Sequence, residues 1–248
     1  MSRRPELIPV LGIGEVGEGS PIAELIAERC RLRGGDVVCI SQKIVSKAEG
    51  RIVDLDAVRP SAKAVALAAK LAKDPAIVEL ALAESTRVVR AEGGVLITET
   101  RCGLICANAG IDASNVPGER NVALLPADPD SSARQIRAAL SELSGAPVAV
   151  LVTDSFGRPW RIGQSEVAIG CAGIEPLDDW RGRRDSHGRP LTATAIAVAD
   201  QIAAAADLAR DKVDGTPAVV VRGLGIEVGA DGPGAAALQR AAAEDLFR

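Results

Sequence analysis

The chain has 248 residues, which is enough to bury an apolar core in one large domain or two small ones. Hydrophobic residues make up 47% of the sequence but aromatic residues only 2%, so Ala, Val, Leu and Ile must form the core. The net charge of −4 argues against nonspecific nucleic-acid binding, and we expect a cytoplasmic protein because neither an apolar run of about 18 residues nor an N-terminal signal segment is present.

The first half of the chain predicts short strands alternating with helices. Residues 7–12 and 37–41 are apolar runs typical of buried strands, and residues 22–32 form an apolar stripe typical of a helix, with Ser20 and Pro21 as its start signal. A short strand is predicted near Ile52, alanine-rich helices over 62–73 and 75–84, and three strands over 88–89, 95–98 and 104–107, the last two as a hairpin.

A glycine pattern follows the first predicted strand. Residues 12–17 match G-x-G-x-x-G, which leaves an NAD(P)-dependent oxidoreductase as an alternative function. In a dinucleotide site, however, the helix begins within the glycines and an acidic residue ends the next strand. Here the helix signal comes at Ser20, and Asp36 precedes the strand instead. The pattern therefore favours a turn whose backbone approaches some other ligand.

The segment after the second predicted strand carries Lys43 and Lys47, spaced four apart. No P-loop pattern precedes them. Two interpretations stay open, a pair of surface lysines or a phosphate contact just beyond a strand.

The second half predicts a polar loop and further strands and helices. The loop over 108–115 contains Asp112, whose simplest role is a local Asx-type turn. Strands are predicted over 122–125, 148–152, 165–173 and 218–221, helices over 128–143, 194–208 and from the glycine-rich segment to residue 247, and a charged surface loop over 178–190 that holds the only histidine.

Polar residues follow the apolar run at 148–152. Asp154 and Ser155 stand where the predicted strand ends, and their oxygens suit Mg²⁺ or Mn²⁺. Gly157 and Pro159 predict a turn that carries Arg158 and Arg161, which suit phosphate or carboxylate groups. The alternative is an ordinary strand end with a capped turn and solvated arginines.

Three long segments resemble the coenzyme F420-0:L-glutamate ligase family. They are S-Q-K-I-V-S-K-A-E-G-R at 41–51, L-I-C-A-N-A-G-I-D-A-S-N-V at 104–116 and V-T-D-S-F-G-R-P-W-R at 152–161. The likeness covers nearly the whole chain. It implies GTP-dependent addition of L-glutamate to F420-0, and then to the growing γ-glutamyl tail, through an acyl phosphate. The implied cofactors are Mg²⁺ or Mn²⁺, with K⁺ as a further candidate. A nucleotide-binding protein without catalysis is a second alternative.

The resemblance also implies site residues by their places in the motifs. Asp112 and Asp154 would bind a metal ion, and Ser155 a second one. The nucleotide would contact Ile13, Gly14, Glu15, Val16, Ser41, Gln42, Lys47 and Asn115. From charge and sequence proximity, Arg158 and Arg161 are predicted to act with Asp154 in catalysis, and Trp160 and Gln164 to contact the acidic substrate.

The implied architecture is a single α+β unit over residues 1–248, with mixed sheets, flanking helices and two closely associated lobes in an intertwined homodimer. Some relatives carry a C-terminal nitroreductase-like domain, which we do not expect here. The family also has a glycine after the long helix, where this chain has Ala209, Arg210, Asp211 and Lys212. No site residue is predicted there.

Overall fold

The structure, a computed structural model, describes residues 4–210 and 215–246. Its helices are α1 (Ile22–Ala27), α2 (Gln42–Ala48), α3 (Ala62–Leu71), α4 (Pro75–Ala83), α5 (Pro129–Ser144) and α6 (Val198–Asp207). Its strands are β1 (Glu6–Pro9), β2 (Val37–Ser41), β3 (Ile52–Asp54), β4 (Ser85–Glu92), β5 (Val95–Thr100), β6 (Ile105–Ala107), β7 (Asn121–Ala123), β8 (Ala149–Arg158), β9 (Arg161–Ala172), β10 (Leu177–Asp179), β11 (Ala195–Ala197) and β12 (Ala218–Arg222).

The largest sheet has five strands in the order β1-β12-β2-β8-β9. Strands β2 and β8 are parallel, and the other neighbours are antiparallel. Successive side chains of a strand point to opposite faces, so Val38 and Ile40 join the core with α1 and α5, while Val37 and Cys39 join the core with α6. Because both faces are covered, the central strands consist almost entirely of apolar residues.

A second sheet, β4-β5-β6, packs one face on α3 and α4. Its central strand β5 alternates, with Leu96 and Thr98 buried and Val95 exposed. Strands β3 and β7 form a separate antiparallel pair. The predicted α+β class with mixed sheets and flanking helices is therefore confirmed.

Several helix boundaries follow the sequence signals. Asp74 accepts a hydrogen bond from the Ala76 N–H at the start of α4, and Asp128 accepts one from the Ser131 N–H at the start of α5. Gly145 ends α5 in the left-handed conformation, with φ 64°.

Other boundaries were predicted wrongly. Helix α1 begins at Ile22 as predicted but ends at Ala27 instead of Leu32, and the Ser20 hydroxyl accepts from the Gly17 N–H instead of capping the helix. The helix predicted from residue 194 begins only at Val198, because β11 pairs with β10 first. In place of the predicted final helix there are short 3₁₀ turns at Ala235–Leu238 and Ala242–Glu244, and Phe247 lies outside the described residues.

The strand that carries Asp154 is longer than predicted. Instead of ending near residue 152, β8 continues to Arg158 and turns through Pro159 and Trp160 into β9. Asp154 and Ser155 therefore lie inside a long hairpin rather than at a strand end. No helix in the described part of the chain is long and apolar enough to cross a bilayer.

Candidate active site

A cavity of about 1330 Å³ lies between the two main sheets. It is lined by seven segments: residues 14–16, residues 41–47, parts of β4 and β5, residues 105–117, the outer part of the β8-β9 hairpin, Asp207 with Arg210, and residues 215–217. These segments are far apart in sequence, and each motif that resembles the ligase family contributes to the lining.

A β-bulge sets the register of the hairpin at the cavity. Between the pairs Val152–Gly170 and Thr153–Ala168, β9 contains one extra residue. Beyond this bulge, Ser155 faces Glu166, and the Ser155 hydroxyl donates to Glu166 Oε1 at 2.6 Å. Bulges commonly redirect side chains beside functional sites. Here the bulge places a carboxylate directly opposite Ser155.

Arg210 completes this polar group from the segment that follows α6. Its Nη1 donates to Glu166 Oε2 at 2.9 Å and to Thr153 Oγ1 at 2.8 Å, and only 7% of the side chain is exposed. Its Nε and Nη2 have no hydrogen-bond partner within residues 4–210 and 215–246. A buried guanidinium with unused donors suits an anionic ligand.

The loop that carries Asp112 is held in an unusual conformation. Asn108, Ala109 and Asn115 all have positive φ, between 50° and 55°. Asn tolerates this region, but Ala is rarely found there, so the loop stores backbone strain. Asp112 itself is anchored by paired backbone bonds to Ala123, and its Oδ1 accepts from the Ser114 N–H at 2.7 Å. The predicted Asx-type turn is thus present, and it lines the cavity.

Lys43 is not a surface residue. Its Nζ donates to Asp112 Oδ2 at 2.8 Å and to Ser114 Oγ at 2.7 Å, and 14% of its side chain is exposed. Burial raises the pKa of Asp112, but hydrogen bonds from Lys43 and Ser114, together with the Lys43 charge, lower the pKa below its usual value. Asp112 is therefore a carboxylate held in its charged form.

Asp154 is in the opposite electrostatic situation. Burial first, and then the charges of Glu166 and Asp112, raise its pKa to about 7, against the weaker effects of the Ser155 backbone N–H and Lys43. Raised carboxylate pKa values beside other carboxylates are typical of functional sites. Asp112 and Asp154 belong to two separate segments, and both line this cavity.

Lys47 lies one turn further along α2, on the same face as Lys43. Its ammonium contacts Glu15 Oε1 at 2.5 Å, and only 8% of its side chain is exposed. The interpretation of Lys43 and Lys47 as surface lysines is therefore wrong for both. The ion pair joins the glycine-containing loop to α2, and both residues line the cavity.

The structure brings most of the predicted site residues together. All of the predicted nucleotide contacts except Ile13 line the cavity, as do Asp112, Asp154, Ser155, Arg158 and Gln164. Ile13 is 4% exposed and belongs to the main core. Arg161 and Trp160 lie at the exposed hairpin tip, outside the cavity lining.

Sequence reasoning missed two charged residues of this site, Glu166 and Arg210. For Lys43 it left a phosphate contact open as one interpretation, but it did not predict the contact with Asp112. Glu166 has no motif and becomes visible only through the hairpin register. Arg210 lies in the segment after the long helix where the chain lacks the family's glycine, so no site residue is predicted there.

The donor atoms of the site fit a hard divalent cation. Asp112, Asp154 and Ser155 offer only oxygen ligands, and Asp154 lacks a countercharge sufficient to keep its pKa low. Within the described residues, no group of three or more His, Cys, Asp or Glu side chains could hold a metal ion. The three ligands Asp112, Asp154 and Ser155 therefore suit a cation that takes its other ligands from phosphates and water, as Mg²⁺ usually does.

Comparison with known proteins gives one consistent family. The family model described as F420-0:Gamma-glutamyl ligase matches residues 11–223. The chain is 47% identical to the Coenzyme F420:L-glutamate ligase of Methanopyrus kandleri, over 94% of each protein. It is 45% identical to the protein of that name from Methanothermobacter thermautotrophicus, over 88% of each, and 44% identical to the one from Archaeoglobus fulgidus, over 90% of this chain and 89% of the relative.

Proposed function

Because the chain belongs to the F420-0:gamma-glutamyl ligase family, we propose that it joins L-glutamate to F420-0 and then extends the γ-glutamyl tail. GTP supplies the energy and becomes GDP and phosphate. The observation that carries this proposal is the cavity that Asp112, Asp154 of the β8-β9 hairpin and the predicted nucleotide residues line together.

The proposed reaction has two steps. A carboxylate oxygen of the acceptor attacks the γ-phosphorus of GTP, the bond from that phosphorus to the β–γ bridging oxygen breaks, and GDP leaves. The resulting acyl phosphate is then attacked at its carbonyl carbon by the glutamate amine. Phosphate departs with the C–O electron pair, and the amine loses a proton. The protein needs no covalent intermediate, so positioning and charge compensation are its main tasks.

Cationic residues support phosphoryl transfer in this arrangement. Lys47 on α2 holds the triphosphate. The nearby loop approaches the triphosphate at Gly14, which has a φ of 78° and no side chain to cover the backbone. Lys43 neutralises charge beside Asp112. Preorganised donors of this kind stabilise developing charge without reorganisation.

Asp112, Asp154 and Ser155 would hold the divalent cation, Mg²⁺ or Mn²⁺, with K⁺ as a further candidate cofactor. When bound, such a cation supplies Lewis-acid charge neutralisation at phosphate oxygens. Arg210 orients Glu166 by its bond to Oε2, and Glu166 in turn orients the Ser155 hydroxyl. These contacts support the positioning of the Ser155 oxygen.

The oxidoreductase alternative receives no support from the geometry. The glycine pattern at 12–17 is followed by α1, which begins only at Ile22 and has six residues. In a dinucleotide-binding turn, a helix N-terminus inside the glycine run faces the pyrophosphate. Here that helix end is displaced from the glycines.

The decisive experiment combines F420-0, GTP, L-glutamate and Mn²⁺ or Mg²⁺ with the purified protein. We expect mass spectrometry to detect a product heavier by one glutamyl residue, with one GDP released per bond formed. Heavy oxygen in the acceptor carboxylate should appear in the released phosphate. Binding of GTP without GDP release would instead indicate a non-catalytic nucleotide-binding protein, and product without oxygen transfer would contradict the acyl phosphate.

We also propose a homodimer of two-lobed protomers. The exposed hairpin tip supports an interface, because Trp160 is 74% exposed and Ile162 is fully exposed. Light scattering after size exclusion should give twice the chain mass. A monomer at micromolar concentration would contradict this part of the proposal.

A further inference from the structure

The cavity has two parts of different chemistry. Its volume of about 1330 Å³ exceeds the roughly 300–1,000 Å³ of an ordinary small-molecule pocket. Lysines and carboxylates line the part of the cavity formed by α2 and residue 112, whereas apolar residues of β5 and β6 line another part. This apolar part has room for a ligand other than the nucleotide.

That face is apolar and open to the cavity. It comprises Val95, Ile97, Ile105 and Ala107, which we call the β4–β6 face. Ile97 on β5 lies directly opposite Ala107 on β6, so their side chains share one side of the sheet. Val95 is 45% exposed and Ile105 36% exposed, although the buried residues that alternate with them pack on α3 and α4. Exposed apolar side chains inside a cavity commonly mark a ligand site.

The β4–β6 face begins beside the proposed reaction centre. Strand β6 lies next to β8, which carries Asp154. Ile105 and Ala107 of β6 and Asp154 of β8 line the same cavity. A ligand lying on this face would thus have one end near Asp154.

Two arginines stand at the edges of the same region. Arg90 on β4 is paired in register with Ile97, and Arg158 ends β8, and both line the cavity. Phe156 lines the cavity between Asp154 and Arg158 and is half-buried. The chain has only two Phe and two Trp, so an aromatic ring at this point is a specific feature.

We propose that the β4–β6 face is the subsite for the flat fused-ring chromophore of the acceptor, with Arg90 and Arg158 facing its acidic tail. A planar ring gains dispersion contacts over a whole sheet surface, and Phe156 adds an aromatic contact. Guanidinium groups match the phosphodiester and carboxylate groups of the tail. This inference rests on the proposed function, since it names where the second substrate of that reaction lies.

The test measures F420-0 and GTP separately. The Ile97→Thr and Ile105→Thr variants keep strand propensity but remove apolar area from the face. The Kd for F420-0, measured by the fluorescence of its chromophore, should therefore rise about tenfold in each variant. The KM for GTP should not change. Val88→Thr is the matched control, because Val88 lies on β4 opposite Thr98 and does not line the cavity.

The arginine contribution is separated by a second probe. Arg90→Gln should weaken binding of F420-0 about tenfold but leave binding of the isolated, tail-free deazaflavin chromophore unchanged. Both probes should weaken equally in Ile97→Thr.

Three results have distinct meanings. If wild-type protein makes no glutamylated product, the proposed function fails together with this inference. If product forms but the isoleucine variants bind F420-0 as tightly as wild type, only the subsite is wrong. If these variants dissociate an oligomer while F420-0 affinity is kept, the face is an interface between copies of the chain, and the subsite is again overturned.

Discussion

Replacing Asp154 with Asn should make the metal-free protein more stable, although it removes a proposed cation ligand. Asp154 is a carboxylate that burial and the nearby charges of Glu166 and Asp112 keep from ionising easily, with its pKa raised to about 7. Asparagine has nearly the same shape but no charge. The substitution therefore removes an electrostatic cost that the folded apo protein carries.

The size of this effect follows from linkage. An unfolded Asp has a pKa of about 3.9, and each unit of difference corresponds to about 1.4 kcal/mol, so the ionised side chain costs about 3–4 kcal/mol at pH 7. Subtracting about 1 kcal/mol for imperfect amide hydrogen bonds leaves about 2–3 kcal/mol. For a chain of this length, the melting temperature should rise by roughly 4–10 °C.

The sign also predicts a pH dependence. Because the folded pKa lies above the unfolded one, the unfolded state releases this proton first, and wild-type stability falls as the pH rises from about 4 to about 7. This component of the decline should be absent in Asp154→Asn. Below pH 4 the stability difference between the two proteins should shrink, since Asp154 is protonated in both the folded and unfolded states.

Calorimetry in the presence of a chelator measures the apo stability, and a second scan with GTP and Mn²⁺ measures ligand stabilisation. We expect the ligand-induced increase in Tm to be large in wild type and nearly lost in the variant. Asp112→Asn is the matched control. The pKa of Asp112 is lowered by Lys43 and Ser114, so removing its charge should reduce apo stability. An Asp154→Asn protein that melts below wild type without ligand, yet keeps the GTP–Mn²⁺ shift, would refute the reasoning.

Three further predictions concern other residues. Lys47→Ala should raise the KM for GTP by about tenfold or more, because a buried phosphate contact is lost, whereas the exposed Lys63→Ala should change nothing in steady-state kinetics. Lys43→Gln should lower kcat about a hundredfold with a smaller change in KM, as expected for charge stabilisation in the transition state, and equal losses of binding and turnover would contradict that role. Gly170→Ala should lower Tm by several degrees, because its methyl group would overlap the Pro129 carbonyl, while Gly157→Ala on the same hairpin meets open space and should melt like wild type.

The central sheet could be predicted from the sequence because its strands are continuous apolar runs. Residues 37–41 and 218–221 were predicted within one residue of β2 and β12. The starts of α4 and α5 were also predicted, because Asp74 and Asp128 form the caps that their positions indicate. In these elements, local hydrogen bonding and burial favour the same conformation.

The prediction failed where tertiary pairing overrode a local signal. Ser20 and Pro21 are good helix-start residues, yet the Ser20 hydroxyl is used by the Gly17 N–H. Ala195 and Ala197 favour helix, but residues 195–197 pair with β10 as a strand. Gly157 predicts a turn, but on the antiparallel hairpin it continues the ladder opposite Gln164. Each of these contacts joins residues that local propensity treats separately.

The composition of the site was harder to predict than its location, and the bulge in β9 shows why. If the same sequence paired without a bulge, the register that joins Val152 to Gly170 would continue and place Val167, rather than Glu166, opposite Ser155. Asp154 would then lose the charge that contributes most, after burial, to its raised pKa. Arg210 would also lose the carboxylate that holds its Nη1 beside Thr153. A one-residue bulge that no motif marks therefore decides which charges meet in the cavity.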